Sequence, residues 1–187
     1  MTELAVGEAT LAEVPAGASL VVSVVEGRQL ADLAPAGFHQ GLTRNVAGWR
    51  RFGRPSLALG LADGDELVDG DARALMRLVA GPGPDHVDIA YPGCWSELYP
   101  DRRAGCRDLI AAALGIPRAA LGGVVSAFGA APRTEGGGLH GWEGVVARPG
   151  SSLVLEALAD CLVAVSACPD DGIPGALAGR LSVEVAR

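Results

Sequence analysis

The chain has 187 residues, enough for one compact domain and hardly for two, with 49% hydrophobic and 20% charged residues. That apolar share can bury a core without disulfide staples, which excludes a disordered chain or a disulfide scaffold. The formal net charge of −7 excludes a general nucleic-acid binder and a polybasic membrane anchor, since both need surplus cations.

All 15 basic residues are arginine. Without lysine there is no P-loop phosphate contact, no pyridoxal Schiff base and no lysine general base, so neither a nucleotide nor pyridoxal phosphate is expected. Arginine stays protonated, so these side chains bind anions but do not shuttle protons. The N-terminus, Met1 to Glu8, is acidic where a signal peptide is basic, and no apolar run reaches membrane-spanning length. The expected location is the cytoplasm, with Cys94, Cys106, Cys161 and Cys168 reduced.

In chain order, the β-branched run Ser19–Val25 predicts a strand ending at Glu26-Gly27, and Gln29–Pro35 a weaker strand pairing with it. Residues 36–54, with Gly37, Gly41, Gly48 and Gly53 among several arginines, His39 and Trp49, read as a long loop. Ser56–Leu61, Glu66–Val68 and Ala74–Val79 are short apolar runs separated by Asp63-Gly64-Asp65 and Asp69-Gly70-Asp71, the signal of antiparallel hairpins. His86–Tyr91 is a further strand. Cys106–Leu114 predicts the main helix, stopped by Gly115 with Pro117 beyond, and a short helical turn follows at Pro117–Leu121. Val124–Phe128, Gly144–Ala147, Ser152–Ala157, Cys161–Ala167 and Leu181–Val185 complete the strands. The sum is a β-rich α+β fold, an antiparallel sandwich or barrel-like single domain over residues 1–187 with one main helix near 106–114.

Strong catalytic motifs are missing. There is no G-x-S-x-G elbow, no C-x-x-C, no H-E-x-x-H, no G-x-G-x-x-G after a strand, and no nucleobase-deaminase pattern. The Gly136–Gly138 run has no helix directly following and reads as a flexible loop. Two cysteines stand out. Cys94 follows a strand in Tyr91-Pro92-Gly93-Cys94, and Cys106 opens the helix, where unpaired amides stabilise a thiolate. The eleven residues between them allow the chain to return and bring both sulfurs to one zinc ion, or to leave both as ordinary buried cysteines. On one continuous strand Cys161 and Cys168 face opposite sides, and Cys168, in Cys168-Pro169-Asp170-Asp171 at the strand's end, is the better functional candidate. His140, in Gly138-Leu139-His140-Gly141-Trp142-Glu143, is a loop histidine beside a carboxylate, Glu143.

Several stretches together resemble the urea carboxylase-associated family, whose domain has long been catalogued as of unknown function. They are Glu26 to Leu33, Leu42-Thr43-Arg44, Asp88 to Cys94, Cys106-Arg107-Asp108-Leu109, Pro149 to Ala157, and Ala164 to Asp170. The likeness runs from about residue 18 to 185. It implies a link to guanidine and urea metabolism, since some members act as paired subunits that deiminate carboxyguanidine. It also implies a site at Cys94 and Cys106, which fall on the cysteines of a family pattern of Cys followed by His-x-x-Cys. Here Arg103 stands in place of that histidine, and a guanidinium does not ligate zinc. Ser126 replaces an asparagine, and Gly172-Ile173-Pro174-Gly175 replaces an Asn-Gly after the last cysteine motif.

Three readings follow. In the first the protein is a C–N hydrolase or deiminase acting on a small guanidino- or urea-type carboxylate. Zinc is then held by Cys94, Cys106 and either Cys168 or His140, protons are moved by Asp32, Glu143 or His140, and the substrate is bound by Arg44, Arg103 and Gln29. In the second it is a non-catalytic partner of an intact homologous subunit, or part of a homo-oligomer. In the third it is a metal-free enzyme or small-molecule binder whose anion pocket draws on Arg50, Arg51, Arg54, Arg102 and Arg103.

Overall fold

In β3 (Ser19–Arg28), every second residue from Leu20 to Val24 is buried, and in β11 (Ser152–Ala157) Leu153, Leu155 and Ala157 repeat that pattern. This period of two turns one face of each strand into a shared core. The structure, a computed structural model, describes residues 1–53, 58–83, 86–129, 134–135, 138–139 and 144–187.

The other strands are β1 (Thr2–Ala5), β2 (Ala9–Val14), β4 (Ala31–Pro35), β5 (Glu66–Val68), β6 (Ala74–Ala80), β7 (Val87–Asp88), β8 (Val125–Ala127), β9 (Thr134–Glu135), β10 (Gly138–Leu139), β12 (Cys161–Ala167) and β13 (Leu177–Ala186). Two helices are described, α1 (Gln40–Phe52) and α2 (Cys106–Leu114). One sheet has the order β1-β13-β3-β11-β6-β5 and a second β2-β12-β4-β8-β7, every pair antiparallel, while β9 and β10 form a separate ribbon. Leu20, Val22, Leu78, Leu153, Leu155 and Leu181 from the first sheet share a core with Leu33, Val163 and Val165 from the second. The architecture is a β-rich α+β sandwich of two antiparallel sheets without a closed barrel. Among the described residues no helix is long and apolar enough to cross a membrane.

All five residues of β4 and six of the seven in β12 are buried. They lack the half-wet alternation of β3 because α2 packs on their outer side. The centre of the second sheet is thereby covered on both faces.

Several elements differ from the sequence expectation. Residues 40–52 form α1 rather than a loop, so the fold has two main helices. His39 caps α1, its Nδ1 accepting from the amide of Leu42 at 3.2 Å, and Gly53 ends it in the left-handed conformation with φ 63°. Of the glycines that suggested a loop, Gly53 is a helix terminator and the buried Gly48 lies on the helix's inner side with Thr43 and Ala47. β4 does not pair with β3 but lies in the opposite sheet between β12 and β8. The strand expected over His86–Tyr91 shrinks to Val87–Asp88, because the Asp88 carboxylate turns the chain by accepting from the amides of Ala90 and Tyr91. Only bridges at Gly60 and Val145 represent the strands expected at Ser56–Leu61 and Gly144–Ala147, and residues 56–57 lie outside the described residues. The expected bounds of β5, α2, β11 and β12 match those observed.

Candidate metal centre

The site begins with strand register. Asp32 on β4 stands opposite Ser166 on β12 and Ser126 on β8, and Ser126 stands opposite Asp88 on β7. Directly opposed residues share a sheet face, so these four form a polar row across the second sheet. Cys168, two residues past Ser166, continues that face, and its amide donates to the carbonyl of Leu30 at 3.0 Å.

Cys94 reaches the same place by a tight turn. Gly93 has φ +76°, a left-handed conformation that favours glycine, and a Cβ there would sit 2.8 Å from Val124 and 3.3 Å from Asp32. The start of α2 then presses on the Cys94–Trp95 backbone, since a Cβ on Gly105 would meet Trp95 at 2.5 Å. That closeness lets the first helical amide, on Cys106, donate to the Cys94 sulfur at 3.1 Å. Such amides have no partner within their own helix. Asp108 fixes the junction by accepting from Gly105 at 2.9 Å and Ser96 at 2.7 Å, and Arg118 ties Asp108 at 2.8 Å to Glu97 at 2.7 Å.

The result is a buried cluster in which one carboxylate oxygen of Asp32 and the sulfurs of Cys94, Cys106 and Cys168 all lie within 4.8 Å of one another. The Cys94 and Cys168 sulfurs are 3.9 Å apart. Two thiolates about 2.3 Å from a tetrahedral zinc stand about 3.8 Å from each other. Both donor chemistry and spacing therefore fit an ion of that class, and the cluster could bind a metal.

Charge in the cluster is unevenly held. Cys94 is kept well below the ordinary thiol range by hydrogen bonds from the Cys106 and Cys168 thiols and from the Cys106 amide, against its burial. Burial pushes the Cys106 thiol well up. For Cys168 the Cys106 contact acts downward, but the Cys94 sulfur and burial outweigh it, so that thiol is also raised. Asp32 is pushed up to about 7, chiefly by burial and next by the charge on Cys94, while hydrogen bonds from Ser126 and Cys106 act downward. Among the described residues the buried Tyr99 hydroxyl has no partner at direct hydrogen-bond distance, yet it lies near enough to Cys94 to lower that thiol.

Cys94, Cys168 and Asp32 line the floor of a cavity of about 500 Å³, with Cys106 fully buried behind them. Its walls include Leu30, Trp95, Leu98 and Ile173, with Asp170 beside them.

The remaining sequence candidates lie elsewhere. Gln29 is buried, and its side-chain amide donates to the carbonyls of Cys168 at 2.8 Å and Leu30 at 3.1 Å, so it holds the Cys168 backbone. Arg44 donates to the carbonyl of Ala58 at 3.0 Å and lies near Asp88. Arg103 pairs with Asp171 at 2.5 Å and stacks 4.4 Å from the Tyr99 ring centre. Neither arginine lines the cavity. Arg51 pairs with Asp65 at 3.4 Å, and Arg50 donates to the Gly64 carbonyl. His140, Glu143 and Arg54 lie outside the described residues. Cys161 is remote from the cluster, its thiol donating to the carbonyls of Ala159 at 3.1 Å and Leu75 at 3.4 Å. Sequence reasoning passed over Ser126 as a support of Asp32, together with Tyr99 and Asp170. The resemblance marks Ser126 only as standing in place of an asparagine, and its contact with Asp32 comes from cross-strand register.

Fold and site together define a β-rich two-sheet protein with a buried centre of three thiols and one carboxylate. No protein-family profile matches the sequence, and no curated protein matches it significantly. Among solved structures it is similar to a DUF1989 family protein from Silicibacter pomeroyi, with a TM-score of 0.74 and 22% identity over 98% of this chain and 76% of that one. DUF1989 is the urea carboxylase-associated family. At that identity the comparison establishes the shared fold.

Proposed function

We propose that this chain is a divergent member of the urea carboxylase-associated family, and that it hydrolyses a C–N bond in a small guanidino- or urea-type compound at a zinc centre held by Cys94, Cys106 and Cys168. The observation carrying this reading is the gathering of Asp32 and three sulfurs within 4.8 Å at and behind the floor of a cavity. The shared fold with a DUF1989 protein supports it. Arg103 in place of the family's histidine does not empty the centre, because Cys168 adds a third sulfur donor beside Cys94 and Cys106.

Zinc, when bound there, supplies Lewis acidity and favours the ionised form of water. The protein residues do the rest. Asp32, buried beside the three sulfurs and lining the cavity, takes a proton and returns it to a departing amine. Ser126 donates to one oxygen of that carboxylate and so fixes its orientation. The Cys106 amide and the first turn of α2 hold Cys94 as a thiolate. A cytoplasmic location, which keeps the thiols reduced, and assembly with a second copy or a homologous subunit belong to the same reading.

The test is ammonia release by the purified, zinc-assayed chain from a panel of guanidino and urea compounds. The reading expects turnover that falls about 10²–10⁴-fold in Asp32→Asn with zinc retained. Turnover unchanged in Asp32→Asn, or turnover by a chain without zinc, contradicts it.

A further inference from the structure

The cavity over the sulfurs has apolar walls and acidic polar groups. Leu30, Trp95, Leu98 and Ile173 supply carbon surface, and the carboxyl groups of Asp32 and Asp170 face the same space. No cationic side chain lines it among the described residues. Arg107, beside the lining residues Pro92 and Gly93, donates to the carbonyls of Pro92 at 2.9 Å and Leu121 at 3.2 Å, and Arg103 is paired with Asp171 and stacked on Tyr99. Arg44 is engaged at Ala58, and the chain has no lysine. Among the described residues Asp170 accepts one hydrogen bond, at Oδ1 from the Gly172 amide at 2.9 Å. A divalent ion ringed by three thiolates carries one net negative charge, so filling the metal centre leaves the floor negative.

A carboxylate ligand would enter this space without a partner for its charge, and an unpaired anion in an apolar cavity is strongly disfavoured. A planar cation meets the opposite conditions. An amidinium or guanidinium presents parallel N–H donors that match a carboxylate fork, and its face can lie on an indole such as Trp95. The volume of about 500 Å³ exceeds what a bare guanidinium fills and is in the range of pockets for larger organic ligands.

We propose that the cavity selects a small organic cation, an amidine or guanidine bearing an aryl or alkyl group, with its charged end toward Asp32 and Asp170 and its apolar part against Trp95, Leu98 and Ile173. This rests on the reading above and narrows its substrate class. It also departs from the carboxylate-bearing substrate that the family resemblance implies.

The experiment is calorimetric titration of the protein as purified, its zinc content measured in parallel, with three probes. Benzamidinium carries both ring and cation, benzoate has the same shape with the opposite charge, and guanidinium is the cation without the ring. Benzamidinium is expected to bind about tenfold or more tightly than either of the others, a difference of about 1.4 kcal/mol or more. Leu98→Arg places a cation at the rim on a residue that is 54% exposed. It should weaken benzamidinium about tenfold while leaving the urea unfolding midpoint unchanged. Benzoate binding as tightly as benzamidinium, no benzamidinium binding at millimolar concentration, or an unaltered affinity in Leu98→Arg overturns the proposal. The two readings fail separately: zinc present with benzoate preferred overturns the ligand class alone, and benzamidinium preferred by a zinc-free chain overturns the hydrolytic centre alone.

Discussion

The backbone amide of Cys106 donates to the sulfur of Cys94 at 3.1 Å, so the first turn of α2 and the turn after β7 are joined at a thiol held below its ordinary range. A helix amide that would otherwise lack a partner is satisfied by the Cys94 sulfur, and that atom gains charge stabilisation from the helix. Fold and site therefore depend on each other at this junction.

Removing one sulfur should separate the centre from the scaffold. Cys94→Ser is expected to lower zinc content per purified chain at least about tenfold, whereas Cys161→Ser should leave it at the wild-type level, because Cys161 bonds to Leu75 and Ala159 away from the cluster. Metal analysis of the two variants side by side checks this.

The approach of α2 to the Cys94–Trp95 backbone requires glycine at position 105. Gly105→Ala would bring a Cβ to 2.5 Å of backbone atoms, which cannot move aside as a side chain can. The expected loss of stability is about 1–3 kcal/mol, measured by urea unfolding. Gly115→Ala is a poor control despite its open surroundings, because Gly115 has φ +68°. Gly70, with neither a close neighbour nor a positive φ, should tolerate alanine with little change.

Stability of the metal-free chain should fall as pH rises from about 4 to 7. Asp32 has an ordinary value of 3.8 and is raised to about 7 in the fold. Below its unfolded value the group is protonated in both states and contributes no difference. Between the two values the unfolded chain releases the proton and the folded chain keeps it, so stability declines, and above about 7 the full penalty stands, on the order of 4 kcal/mol. Asp88, raised to about 6 mainly by burial, acts in the same direction. Urea midpoints at pH 5 and pH 8 should differ in that sense for the stripped protein, and the difference should shrink in Asp32→Asn. Zinc should reverse the trend, because acid protonates the ligands.

Much of the fold was legible in sequence where one rule governed one segment. β11 and β12 were bounded by apolar runs and turns, and α2 by its helix formers with Gly115 behind them. α1 was not, because Gly41 and Gly48 lower its propensity while its support comes from burying Thr43 and Ala47 and from the His39 cap. The partnership of β4 with β12 and β8 is a long-range pairing that local pattern does not encode. The site shows the same division. Cys94, Cys106 and Cys168 were recognisable from their places at the ends of elements, whereas the Ser166–Asp32–Ser126–Asp88 row exists only through register. Arg103 suggested an anion clamp by its position before Cys106, but Asp171, 68 residues further along, engages it.

The most direct measurement of the central claim is zinc-edge X-ray absorption on the purified chain. The account predicts three sulfur neighbours at about 2.3 Å and one oxygen neighbour at about 2.0 Å, with a sulfur lost in Cys168→Ser. A chain without zinc, or a zinc shell made of oxygen and nitrogen alone, would contradict it.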